Sequence, residues 1–252
     1  PKRIICIRHG ESIGNVQADA YATIPDNAMP LTEQGRLEAR EAGAKLRDIV
    51  LPGESVFFFV SPYCRTLQTL EGLKEGGDFN DSNLHWTMED TNIREQEFGN
   101  FQDPVQIQKD MHTRSAFGRF WYRFNNGESG ADVYGRVTLF LGTLYRWMDN
   151  CNRRKFDNYV VVAHGLTIRL LLMRYFRWSI EDFEKVWNPH NCALWVLERE
   201  QTCGEYQLVN PQDVKYGDTG PLPDWLCRSS TDRSDASPQL GLLERIATSS
   251  NL

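Results

Sequence analysis

No Cys-x-x-Cys pair, no Gly-x-x-x-x-Gly-Lys loop, no internal repeat and no apolar run long enough to span a bilayer occurs in this 252-residue chain. Each absence removes a class of protein. The six cysteines (Cys6, Cys64, Cys151, Cys192, Cys203, Cys227) are scattered without zinc-ligand spacing, so a metal module is not expected and reduced thiols in a cytosolic protein are the better reading. Without a glycine-rich phosphate loop, a fused P-loop kinase is excluded. The net charge of -6 gives no reason to expect nucleic acid or an anionic membrane as a partner. Any cationic site must therefore be local. The sequence opens directly on strand-forming residues with no signal-peptide pattern, so a cytoplasmic location is expected. The sequon Asn80-Asp81-Ser82 then carries no meaning.

What is present reads as one α/β unit, with enough chain to bury a large core. Apolar runs at Ile4–Ile7, Ser55–Val60 and Tyr159–Ala163 have the length and β-branched or aromatic content of buried parallel strands. Residues 32 to 49 are amphipathic with Thr32 as N-cap, and Pro62 suits the first turn of the helix after the second strand. Residues 129 to 150 form a long helix capped by Ser129, with Val133, Val137, Phe140, Leu141 and Leu144 as its buried stripe. Leu166 to Phe176 is apolar nearly all round and belongs under the sheet. Residues 1 to 228 make one domain. The polar tail 229 to 252 is expected to be mobile or surface-bound, with 240 to 246 able to form one short helix.

Each apolar run ends on a residue capable of chemistry. The first hands over to Arg8-His9-Gly10-Glu11-Ser12, the second to Ser61-Pro62-Tyr63-Cys64-Arg65-Thr66, and the third to His164-Gly165. Carboxyl ends of parallel strands lie on one edge, where open α/β sheets place their sites, so His9, Arg65 and His164 converge. A neutral histidine with one nitrogen held by a hydrogen bond and cations around it can attack phosphorus. Arg8, Arg65 and His164, with Asn15 as a neutral donor, supply the charge a transferring phosphoryl group needs, so no metal or other cofactor is called for. Neighbouring cations lower the pKa of His9, and its second nitrogen is expected on a backbone carbonyl.

The ordered series Arg8-His9-Gly10-Glu11-Ser12 with Asn15, Leu31-Thr32-Glu33-Gln34-Gly35, Ser61-Pro62 with Arg65-Thr66, Glu95 with Phe98-Gly99, Gly127-Glu128-Ser129 and His164-Gly165 resembles the histidine phosphatase superfamily. Within it the chain is most similar to the plant and fungal phosphoglycerate-mutase-like proteins, through Glu95–Gln102 and Phe117–Phe124. The resemblance implies a three-layer αβα sandwich with a mostly parallel central sheet. It also implies His9 as nucleophile, with Arg8, Arg65 and His164 around the phosphoryl group, Asn15, Ser12 and Gly165 binding phosphate, and Glu95 as proton donor. Glu97 is the local rival to Glu95, since alternation along an extended segment points both carboxylates the same way.

The resemblance makes residues 100 to 127 a lid that sets substrate choice, with Lys109, His112 and Arg114 as specificity candidates. The residues alone read as an amphipathic helix whose aromatics pack on the core. The resemblance favours a metal-independent phosphomonoester hydrolase over a phosphoglycerate-mutase-type phosphotransferase, because the segment from Glu95 to Gly127 is shorter than the lid of the glycolytic mutases. A non-catalytic phospho-ligand-binding protein is the third reading, disfavoured because His9, Arg8, Arg65 and His164 are all present. The expected substrate is a phosphorylated small molecule or phosphoprotein, and the family implies a homodimer.

Overall fold

The computed structural model describes residues 1–99, 103–149, 154–218 and 220–228. The tail 229–252, its expected helix at 240–246 and Cys151 lie outside the described residues. Along the chain run β1 (Arg3–Arg8), α1 (Ile13–Val16), α2 (Glu33–Ile49), β2 (Val56–Val60), α3 (Cys64–Gly77), β3 (His85–Glu89) and α4 (Pro104–Phe117). Then follow α5 (Gly130–Asp149), β4 (Asn158–Ala163), α6 (Gly165–Phe176), α7 (Ile180–Lys185), β5 (Leu194–Arg199) and β6 (Tyr206–Leu208). Six strands form one sheet in the order β3-β2-β4-β1-β5-β6. The pairings β3-β2, β2-β4 and β4-β1 are parallel, while β5 and β6 add antiparallel.

Period-two alternation divides the central strands between two cores. Ile4, Cys6, Phe57, Phe59, Tyr159 and Val161 face α5 and α6, packing on Val133, Val137, Phe140, Leu144 and Leu166. Ile5, Ile7, Val56, Phe58, Val60, Val160 and Val162 face α2 and α3, packing on Ala39, Ala42, Leu46, Leu70 and Leu73. The result is the three-layer sandwich. Phe57, Phe58 and Phe59 are all fully buried, each contributing about 1.5–3 kcal/mol by leaving water.

Two expected caps form. Thr32 accepts a hydrogen bond from Gly35 N, and Ser129 accepts one from Asp132 N while Asp132 Oδ2 takes the Ser129 N–H. Pro62 falls outside the expected first turn, two places before Cys64, where α3 begins after its N-cap Tyr63. The strand β3 gave no clear pattern because it is an edge strand with four of five residues at least partly exposed.

The helix expected in the 100–127 stretch is α4, started by Asp103, whose carboxylate accepts from Val105 N and Gln106 N. Gly118, at φ 89, ends it in a conformation that favours glycine. The packing differs from expectation. None of the α4 side chains described is buried, and Phe117 is 70% exposed. The apolar anchoring comes from the turn that follows, through Phe120 and Phe124.

Candidate active site

Backbone hydrogen bonds carry the parallel register one residue past the strands. His9 N donates to Ala163 O and Ser61 N donates to Val162 O, each at 3.0 Å, so the exits of β1 and β2 are tied to β4 beside His164. The expected convergence is present: the His9 and His164 rings lie 5.3 Å apart, both buried. Gly10 and Gly35 let the loop after His9 lie against the first turn of α2, since a Cβ on Gly10 would sit 2.5 Å from Gly35 O. Glu11 secures that contact by accepting from Thr32 Oγ1 at 2.7 Å.

His9 Nδ1 lies 2.7 Å from Gly10 O. A carbonyl only accepts, so Nδ1 carries the proton and Nε2 keeps its lone pair. Burial, then the charges of Arg65 and Arg8, hold the ring well below the ordinary histidine pKa and therefore neutral. His164 is depressed in the same way, by burial, then Arg65 and His9. Its Nε2 meets Ser61 Oγ at 2.8 Å, and its Nδ1 lies 3.8 Å from Glu95 Oε2.

Arg8 donates to Pro189 O at 2.7 Å, while its buried Nε has no partner among the described residues; His164 Nδ1 is in the same condition. An unsatisfied buried polar atom costs about 1–3 kcal/mol, a cost that an anion accepting from Arg8 would relieve. Arg65, in the first turn of α3, is held by Asp26 through its backbone O at 2.7 Å and its Oδ1 at 2.8 Å, with Tyr63 beneath the guanidinium. Burial opposes the Arg65 charge, but Asp26 and Glu95 outweigh it and raise the pKa. The N-termini of α3 and α6 add two partial positive charges to the same edge.

Glu95 is the carboxylate brought to the histidines. Burial raises its pKa against the opposing pull of Arg65, which suits a group that must hold a proton. Glu97 is exposed and Gln96, between them, is fully buried, so the two glutamates do not share one environment. The expected alternation fails because residues 94–97 are not a strand and their carbonyls and amides are bonded to Arg136 and Glu128.

The remaining candidates divide. Asn15 is exposed, and its Oδ1 accepts from Ser12 N at 3.0 Å, Ser12 Oγ at 3.1 Å and Asn191 Nδ2 at 3.4 Å. Ser12 is thus occupied in capping α1, and its hydroxyl proton is not aimed at a ligand. Gly165 opens α6, where a Cβ would press on the Asn188 amide. Arg114 is half-buried over the Phe98 and Phe124 rings and donates to Gln96 Oε1 at 3.2 Å. Lys109 and His112 are exposed on α4.

Sequence reasoning missed Asp26, Asn191 and Arg136. Asn191 donates to His9 O at 3.0 Å, yet it sits in a loop with no periodic pattern to single it out. A cavity of about 650 Å³ lies behind this loop, between α2 and β5, and holds none of the expected catalytic side chains. The ligand-capable atoms of His9, Glu95 and His164 fall within 4.8 Å of one another.

A neutral histidine, two arginines and a second histidine at the ends of parallel strands, with a largely covered carboxyl beside them, make a site chemically suited to a phosphoryl group. The family profile of the histidine phosphatase superfamily (branch 1) matches residues 4–212, and the chain belongs to that superfamily. It is 47% identical over 222 residues to a phosphoglycerate mutase-like protein of Arabidopsis thaliana, covering 83% of this chain and 78% of that one. It is 29% identical to a broad-range acid phosphatase of Saccharomyces cerevisiae, over 82% of this chain and 88% of the relative. The fold matches that of a mycobacterial glucosyl-3-phosphoglycerate phosphatase with a TM-score of 0.62 and 21% identity, over 86% and 100% of the two chains. The chain is thus an enzyme of a family with phosphatase and phosphoglycerate mutase-like members. No described helix is long and apolar enough to cross a membrane.

Proposed function

We propose that this chain hydrolyses phosphomonoesters through a phosphohistidine on His9. The observation that carries the reading is the His9 ring itself: neutral, with Nδ1 tied to Gly10 O and Nε2 free, between two arginines. Nε2 attacks phosphorus in line as the bond to the ester oxygen breaks, and the Glu95 carboxyl delivers its proton to that oxygen. Arg8, Arg65 and His164 stabilise the charge on the equatorial oxygens, with the Asn15 amide as a neutral donor. Water then attacks the phosphohistidine and gives a proton to Glu95. The P–N bond breaks, phosphate leaves, and His9 returns to its starting state.

Arginine charge does the work a metal does elsewhere. A dication among His9, Glu95 and His164 would face Arg8 and Arg65, so chelators are expected to leave turnover unchanged. The substrate is a phosphorylated small molecule or a phosphoprotein, and a second copy of the chain is the expected partner.

The test is intact-mass spectrometry after rapid alkaline quench from a panel of phosphoesters, with phosphate release followed in parallel. A transient phosphoryl adduct that disappears in His9→Ala together with phosphate release supports the reading. Transfer of the group to added 3-phosphoglycerate in place of water would make the chain a mutase; no adduct and no release with any ester would leave a phospho-ligand-binding protein.

A further inference from the structure

Arg136 is a buried cation on α5 whose contacts go to the backbone that carries Glu95. Its Nη1 donates to Asn92 O at 2.7 Å and Arg94 O at 2.8 Å, and its Nη2 donates to Glu95 O at 2.9 Å. Three carbonyls of one irregular segment therefore end on one guanidinium. Glu128 balances the charge with two hydrogen bonds from Arg136 at 3.0 Å each, and its other contacts reach the same segment. Glu128 Oε2 accepts from Glu97 N at 3.0 Å, Oε1 accepts from Arg94 Nη2 at 2.9 Å, and the Glu128 carbonyl accepts from Gln96 Nε2 at 2.9 Å. From α6, Thr167 Oγ1 adds a 2.9 Å bond to Arg94 O.

The side chain of Glu95 is held far more loosely. Among the described residues its carboxylate accepts from the adjacent Gln96 N at 2.9 Å, and His164 Nδ1 stands 3.8 Å away, beyond hydrogen-bond reach. A carboxyl that must reach a leaving oxygen in one protonation state and a water in the other needs freedom at its tip and rigidity at its base.

We infer that the Arg136–Glu128 pair is a positioning device that holds the backbone of residues 92–97 so that the Glu95 carboxyl stays within reach of the phosphoester oxygen. The inference rests on the reading of Glu95 as proton donor. Arg136 does not touch the phosphoryl group; its effect on rate passes through Glu95.

A displaced acid has a distinctive signature. Esters with a good leaving group need little protonation, whereas alkyl esters need the acid fully. The experiment measures kcat/KM for p-nitrophenyl phosphate and for β-glycerophosphate in wild type, Arg136→Ala, Glu128→Gln and Glu95→Gln, with circular dichroism as the check on folding. Arg136→Ala is expected to lose on the order of 10²-fold with β-glycerophosphate, the scale of a general-acid contribution, and less than about threefold with p-nitrophenyl phosphate. Glu128→Gln, which preserves shape and removes the balancing charge, is expected to show the same selectivity more weakly. Equal losses on both esters in folded Arg136→Ala and Glu128→Gln, or no loss on either, would overturn the inference. If Glu95→Gln is itself unselective, the assignment of Glu95 falls instead; a selective Glu95→Gln beside unselective Arg136 and Glu128 variants removes the positioning role alone.

Discussion

The strand-end pocket and the α4 segment above it are built on opposite plans. In the pocket, His9 and His164 are buried and tied into the β1-β4-β2 register by backbone hydrogen bonds, and Arg65 is clamped by Asp26. On α4 none of the described side chains is buried; the helix touches residues 18–22, Arg114 reaches Gln96, and the buried anchors Phe120 and Phe124 lie beyond the helix. Chemistry that depends on sub-ångström placement sits where displacement would break a sheet. The segment proposed for recognition sits where residues can change at little cost to the core.

If that division holds, the largest effect belongs to the pocket floor. His9→Ala should reduce phosphate release on the order of 10⁴-fold or more, because the other neutral ring of the pocket, His164, has its Nε2 engaged with Ser61 Oγ at 2.8 Å. A residual rate within tenfold of wild type would break the comparison outright. Arg65→Ala comes next, with an expected loss on the order of 10²- to 10³-fold in kcat from the missing charge on the equatorial oxygens. A gain in kcat over wild type in Asp26→Ala would show that Asp26 competes with the phosphoryl group and does not orient Arg65.

Stability should sharpen the contrast through pH. The pKa values of His9 and His164 are lowered in the fold from 6.5, so the unfolded chain takes up protons first as pH falls. Stability is whole above pH 6.5 and declines below it, by up to about 1.4 kcal/mol per pH unit for each histidine. Glu95, with its raised pKa, works in the other sense and recovers part of the loss as it takes its proton. Urea denaturation between pH 7.5 and 5.5 measures the slope, and His9→Ala should flatten it. An unchanged slope in His9→Ala would mean that the His9 ring is not held neutral by the pocket.

The smallest effects belong to the cover. Arg114→Ala should raise KM about tenfold, the scale of one lost charged contact, with kcat little changed. Lys109→Ala should change neither by more than about twofold, since its side chain is exposed. A fall in kcat from either substitution as large as that from Arg65→Ala would mean that α4 belongs to the catalytic machinery.

Much of this was legible in one dimension because it depends on short-range pattern. Ile4–Ile7, Val56–Val60 and Tyr159–Ala163 read as strands since their apolar runs are continuous, and Thr32 and Ser129 read as caps since capping is a local hydrogen bond. His85–Glu89 was hidden because an edge strand carries no strict alternation. The choice between Glu95 and Glu97 lay outside any periodicity, since residues 94–97 take their conformation from Arg136 and Glu128.

The amino-acid order alone determined the parallel α/β layers, the placing of His9, Ser61 and His164 at neighbouring strand ends, and the family to which those residues belong. Parallel pairing sends every strand exit to one edge, so local pattern suffices for that much. Only the tertiary structure decided which nitrogen of His9 is free, that Asp26 holds Arg65, and that Glu95 rather than Glu97 stands beside His164. Those facts depend on burial and on contacts between residues far apart in the chain, and no pattern of neighbours encodes them.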